Sequence, residues 1–203
     1  MGWFGNKGRK SHEAAEEARE RFFMEHVFAH WEAAHRFALR LSGQPSEAAD
    51  IVQEAMMRAF ESFERTREDT QWRAWLFTIV RNTFISRTRK LARETSLDDP
   101  QRPVAEPVPD NEDAAPAIDW RTLRGAGAAF EDEILKALMD LPEQQRSALV
   151  LCDIEGMDYD TIAGILACPV GTVRSRIHHA RRRLREALAT FAVSRGYRHA
   201  ENA

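Results

Sequence analysis

Between Val170 and Arg185 the chain carries six arginines and no acidic residue, interleaved with Thr172, Ser175, His178 and His179. These side chains are suited to reading nucleic acid. A guanidinium grips guanine or phosphate through paired donors, and a short hydroxyl contacts base edges or phosphates. Their spacing places them on one side of a helix. Val173, Ile177, Ala180, Leu184 and Ala187 recur at steps of three or four and form an apolar stripe, while Thr172, Arg174, Ser175, His178, His179 and Arg182 fall on the opposite face.

The element before that helix decides what such a face is for. Tyr159, Ile162, Ala163 and Leu166 mark a short preceding helix, with Asp158 placed to accept the free N–H groups of its first turn. Pro169 stands where a second helix begins, because its fixed φ suits a first turn and its missing N–H is not needed there. Two helices joined by a tight turn form a helix-turn-helix pattern, whose second helix enters the major groove by its N-terminal end. A solvated, arginine-rich surface helix is the alternative, and it would not need the adjoining helix and turn.

A second candidate site lies upstream, in TQWRAWLFTIVRNTFISRTRKLAR. Trp72, Trp75, Leu76, Ile79, Val80 and Thr83 make a broad apolar face, and Arg73, Arg81, Asn82, Ser86, Arg89 and Lys90 lie elsewhere on the helix. Rings beside cations suit single-stranded DNA, since bases stack on rings and phosphates meet arginine. Most of these aromatics belong to a core, so the polar residues are the better contact candidates. The helix before it starts after Ser46, a good N-cap, and runs to about Phe63. Val52, Met56, Ala59, Phe60 and Phe63 turn inward, and Asp50, Gln53, Glu54, Met57 and Glu61 turn outward. A methionine among acids and amides suits a partner helix, although an ordinary wet face has the same composition.

The remaining elements are helical too. One helix is expected from about His12 through Leu41, with Phe23, Val27, Trp31, Ala34, Ala38 and Leu41 on one face and Gly43 and Pro45 ending it. His26, His30 and His35 invite a metal reading, but no HExxH motif and no carboxylate at a matching spacing supports it. Thr95 to Gly127 holds five of the eight prolines and seven acids against three arginines, without apolar periodicity. It reads as a flexible linker between two helical domains, with Trp120 and Leu123 as a short docking patch. The second domain resumes near Phe130 with Ile134, Leu135, Leu138 and Leu141 on one stripe. Pro142 then starts a helix that Gly156 stops.

The 203 residues allow one ordinary core or two small ones, and the net charge of −3 rules out a bulk polycation. Positive charge is local: Arg81 to Arg93 holds five basic residues without an acid. The two cysteines, Cys152 and Cys168, give neither a disulfide framework nor a zinc pattern. No signal-peptide core or membrane-length apolar run occurs, so the expected compartment is the cytoplasm. Phosphate-binding glycine loops and other catalytic signatures are absent.

Four ordered segments carry a family resemblance: DIVQEAMMRAF (50–60), WRAWLFTIVRNTF (72–84), LPEQQRSALVL (141–151) and IEGMDYDTIAGILACPVGTVRSR (154–176). Together they resemble a bacterial RNA polymerase sigma factor of the extracytoplasmic-function (ECF) type. The resemblance implies an all-α, two-domain protein that binds core RNA polymerase and promoter DNA, helps open the duplex and needs no cofactor. It implies an N-terminal extension over residues 1–21, sigma region 2 over 22–94, a linker over 95–127, region 4 over 128–190 and a tail over 191–203. Asp50, Gln53, Glu54 and the nearby Met57 would dock on polymerase. Arg81, Asn82, Ser86, Arg89 and Lys90 would read the −10 element of the non-template strand, and the Glu64 to Gln71 loop matches a pocket for a flipped base. Thr172, Arg174, Ser175, Arg176, His178, His179 and Arg182 would serve the −35 element. An anti-sigma factor is a further implied partner, and stress response an implied setting.

Two positions depart from the family pattern. Ser86 stands where Asn or Asp is frequent, and His179 where Arg is frequent; a neutral imidazole weakens a phosphate contact that a protonated one partly restores. Two other classes make different demands. A helix-turn-helix regulator acting without polymerase would not need the Asp50–Glu54 pattern, and a helical metal enzyme would use His26, His30 and His35.

Overall fold

The computed structural model describes residues 5–67, 69–95 and 128–194, all helices and short connections without a strand among them. The expected linker, including Trp120 and Leu123, lies outside the described residues, as does Glu68 in the 64–71 loop. In chain order the helices are α1 (Gly5–His26), α2 (Trp31–Ser42), α3 (Pro45–Ser62), α4 (Trp72–Thr95), α5 (Ala128–Met139), α6 (Glu143–Leu149), α7 (Tyr159–Leu166) and α8 (Val170–Ser194).

The single helix expected over His12 to Leu41 is two. The chain bends through Val27 and a 3-10 turn at Phe28–His30, where the His30 N–H donates to the Val27 carbonyl. No glycine or proline marks the break. Packing causes it: Phe23 and Val27 on one side of the bend, and Ala34, Phe37, Ala38 and Leu41 on the other, all enter the same core. A second correction concerns Ser46. α3 starts at Pro45 with Gln44 as its N-cap, because proline fits the first helical position and displaces the expected cap by two residues.

The first domain packs α2, α3 and α4 around Phe37, Leu41, Ile51, Leu76 and Phe77, with the Phe37 and Phe77 rings 4.8 Å apart. Each such side chain stabilises the fold by about 1.5–3 kcal/mol through burial. Gly43 ends α2 with φ +73°, and its N–H closes onto the Leu39 carbonyl. A Cβ there would also meet Met139 Sδ at 2.5 Å, so the Met139 side chain of α5 would have to shift, while the positive φ itself favours glycine.

The second domain packs α5, α6, α7 and α8 around Leu138, Leu149, Leu151, Ile162, Ile177 and Leu184. Between α6 and α7 one π-helical turn (Val150–Ile154) ends at Gly156, whose φ is +68°. Asp158 caps α7 as expected, accepting the Thr161 N–H at 2.8 Å and the Thr161 hydroxyl at 2.8 Å. The apolar stripe of α8 is buried through Leu184, but Ala187 is exposed among the described residues.

The domains touch. α4 lies against α7, and α2 against α5 and α6, so the buried residues of both form one connected cluster.

Candidate nucleic-acid interface

α8 presents Arg174 and Arg182 to solvent, with Thr172, Ser175, His178 and His179 half-buried around them. Ser175 Oγ donates to the Thr172 carbonyl at 3.0 Å. The His178 and His179 rings meet edge to face at 5.7 Å, and Arg182 reaches to 3.5 Å from His179 Nδ1. Arg176, expected at the DNA, turns inward instead. Its guanidinium donates to Gln144 Oε1 of α6 and lies 3.2 Å from Cys168 Sγ, so here it braces the turn against α6.

Two more arginines of this domain are structural. Arg181 donates to Asp153 at 2.5 and 3.0 Å, and the Asp153 side chain is only 1% exposed. The hydrogen bonds to Asp153 raise the Arg181 pKa, and burial opposes them in part. Arg146 directs one guanidinium nitrogen at the carbonyls of Leu138, Met139 and Leu141, closing the C-terminal end of α5; burial lowers its pKa, and Glu143 counters in part. Burial pushes the nearby Cys152 thiol up to about 11, with Asp153 adding to the shift, so it stays protonated at neutral pH.

On α4, Asn82, Ser86, Arg89 and Lys90 are exposed along one side. Arg81 differs from them. Its side chain is 11% exposed, and its Nε lies 3.4 Å from Glu143 Oε1 of the second domain. It is unavailable to DNA in this arrangement. Beside the Glu64 to Gln71 loop stands an aromatic cluster: Phe22 stacks on His26 at 4.1 Å and meets Trp72 edge-on at 5.5 Å, and Trp72 meets Trp75 at 5.5 Å. Phe22 and His26 come from α1, and no pattern in the chain ties them to this loop. Arg19 fixes α1 there by donating to the Phe60 carbonyl at 3.0 Å and pairing with Glu64 at 3.0 Å. His26 thus belongs to an aromatic stack and His35 leans on Trp31 at 5.7 Å, while burial, then Arg73, lowers the His30 pKa. Among the described residues no group of three or more potential ligands surrounds a metal site.

The outward face of α3 joins Gln53 and Met57, the latter 61% exposed, to two carboxylates that already have partners. Glu54 accepts from Arg58 at 2.6 Å and from Arg87 of α4 at 3.3 Å, and Arg87 also reaches Asp50 at 3.2 Å. This face is therefore charge-compensated, with an apolar methionine at its edge. Arg87 ties it to the helix that carries Asn82 and Ser86. A contact spanning 33 and 37 residues leaves no local signal, and the spacing of charges missed it.

Residues 28–94 match the family model for Sigma-70 region 2, and residues 131–184 that for Sigma-70 region 4. The ECF RNA polymerase sigma factor SigE of Mycolicibacterium smegmatis is 36% identical over 164 residues, covering 80% of this chain and 60% of that relative. EcfG of Rhodopseudomonas palustris is 36% identical over 149 residues, 73% of this chain and 75% of that one. Among solved structures, the sigma factor RpoE in complex with the anti-sigma factor NepR from Bartonella quintana superposes with a TM-score of 0.64 at 30% identity, covering 83% of this chain and 98% of RpoE. CnrH, solved with the cytosolic domain of CnrY, shares the fold with a TM-score of 0.59 at 24% identity.

Proposed function

Because this chain belongs to the sigma-70 family, among the RNA polymerase sigma factors of the ECF type, we propose that it binds core RNA polymerase, directs it to promoters and promotes strand opening. The observation that carries this reading is that one chain holds two helices with exposed polar and cationic faces beside a charge-compensated face on α3. α8 offers Arg174 and Arg182 on a helix-turn-helix, and α4 offers Asn82, Ser86, Arg89 and Lys90.

The chemistry divides accordingly. Arg174 and its neighbours read the edges of the −35 duplex in the major groove. Asn82 and Ser86 meet bases of the −10 element after strand separation. The aromatic cluster near the Glu64 to Gln71 loop supports a base turned out of the stack, a step that costs a few kcal/mol and is offset by polymerase docking and the new contacts. Gln53 and Met57 are the uncharged contacts of the docking face, with Asp50 and Glu54 held beside them by Arg87 and Arg58. The protein works by binding, in the cytoplasm with the polymerase, and an anti-sigma factor restrains it as NepR binds RpoE.

Promoter engagement requires the domains to part. Elements about 25 base pairs apart lie about 85 Å apart on B-DNA at about 3.4 Å per step, whereas α4 and α7 are in contact here. Residues 96–127, fully extended, reach about 110 Å at about 3.4 Å per residue, enough for the separation.

The test is transcription by purified core polymerase on a library of genomic fragments, with and without the full chain, followed by sequencing of the RNA 5′ ends. The expected result is a set of new starts sharing two upstream elements at a fixed spacing. New starts without a shared upstream pair, or none at all, would contradict the reading.

A further inference from the structure

Across α3 and α4 four charged side chains alternate in sign. Arg87 of α4 donates from one guanidinium nitrogen to Asp50 at 3.2 Å and from the other to Glu54 at 3.3 Å, and the second oxygen of Glu54 accepts from Arg58 at 2.6 Å. Two carboxylates and two guanidiniums leave this ladder without net charge. None of its side chains is buried; they are between 35% and 61% exposed. Ion pairs as exposed as these contribute little to stability, so the fold alone does not account for the ladder.

An apolar side chain stands at either end. Met57 lies one turn beyond Glu54 on α3, and Leu91 one turn beyond Arg87 on α4. Both are 61% exposed, the highest value among the large hydrophobic side chains of the described residues. Val80, Phe84, Arg87 and Leu91 recur at steps of three and four. Val80 and Phe84 are buried, so Leu91 is where the apolar stripe of α4 comes out into solvent. Such a surface does not suit a nucleic-acid strand, because Leu91 has no group for a phosphate and Asp50 and Glu54 repel one. It suits a protein, where apolar anchors supply affinity and a fixed pattern of opposite charges sets the register.

Resting on the docking reading above, we propose that the surface for core polymerase crosses from α3 onto α4. Leu91 is its second apolar contact beside Met57, and Arg58 and Arg87 are contacts that Glu54 positions. The matching polymerase surface then carries apolar groups at two points and an acid as well as a base between them, because a wholly basic surface would meet Arg58 and Arg87 with like charge.

The experiment titrates the labelled full chain with purified core polymerase in the absence of DNA. It compares the wild type with Met57→Ala, Leu91→Ala, Glu54→Gln, Arg58→Gln and the Glu54→Gln/Arg58→Gln double variant, with helicity and the denaturant midpoint of each as controls on folding. Leu91→Ala should weaken binding about fivefold. Glu54→Gln and Arg58→Gln should each weaken it about fivefold, and the double variant no further than Glu54→Gln alone, since Glu54 acts through the arginines. Unchanged affinity in Leu91→Ala or Arg58→Gln, or losses that multiply in the double variant, would each overturn the proposal. Met57→Ala separates the two levels. If it weakens binding while Leu91→Ala does not, docking stays on α3 and only the extension is wrong; if neither has an effect, the docking reading falls as well.

Discussion

α4 and α8 both look like arginine-rich DNA helices in the sequence, yet they hold their cations differently. On α8 the inward arginines, Arg176 and Arg181, bind partners within their own domain and leave Arg174 and Arg182 facing out. On α4 the corresponding groups look to other elements. Arg73 and Arg81 pair with the second domain, and Arg87 pairs with α3. α8 consequently presents its outward cations whatever the other domain does, whereas the exposure of α4 depends on where its neighbours are. The difference suits their proposed targets, since duplex edges exist before polymerase acts and an open strand only afterwards.

The largest effect should come from breaking the internal support of α8. Arg181→Ala leaves Asp153 buried without its partner and should destabilise the second domain by about 3–5 kcal/mol, seen as a lower unfolding midpoint in denaturant. A midpoint close to wild type would mean that α8 is not held by this pair. Next, Gln53→Ala with Met57→Ala should each cost about 1 kcal/mol or more of core polymerase affinity, with helicity by circular dichroism unchanged. Unaltered affinity would remove this face from the interface and uncouple α4 from docking.

A smaller change is expected for Asn82→Ala, about 1 kcal/mol for a lost hydrogen bond. It should appear in strand opening and spare closed-complex formation, and a pre-melted template should rescue it only in part. The smallest effect concerns pH. Hydrogen bonds from the Thr161 N–H and hydroxyl hold the Asp158 carboxyl below its ordinary value. Its cap is therefore fully effective above the pKa of the unfolded chain and weakens as pH falls through the lower folded value. Acid should loosen α7 in wild type more than in Asp158→Asn, as followed by amide exchange.

Signals carried within one turn or helix were legible in the sequence. The Asp158 cap, the Gly43 and Gly156 stops and the Val173–Ala187 stripe all follow from local rules, and the structure contains each of them save the exposed Ala187 at the end of the stripe. The bend at Val27 was not legible, because no residue there breaks a helix and only the shared core requires it. The directions of Arg81 and Arg176 were hidden for a related reason. Periodicity tells which side of a helix is apolar, but a guanidinium on the polar side can still reach Glu143 of the second domain or Gln144 of α6. Partners distant in the chain, not propensity, decide which cations remain exposed.

The most direct test pairs Arg174→Ala with Asn82→Ala in holoenzyme and maps preference at every promoter position on a randomised library, with permanganate footprints on intact and pre-melted templates. The division of labour predicts that Arg174→Ala relaxes preference within the −35 element, at about 1–3 kcal/mol, and that Asn82→Ala alters only the −10 element and its opening. Arg174→Ala changing the −10 element alone, or Asn82→Ala the −35 element alone, would contradict the assignment of the two helices.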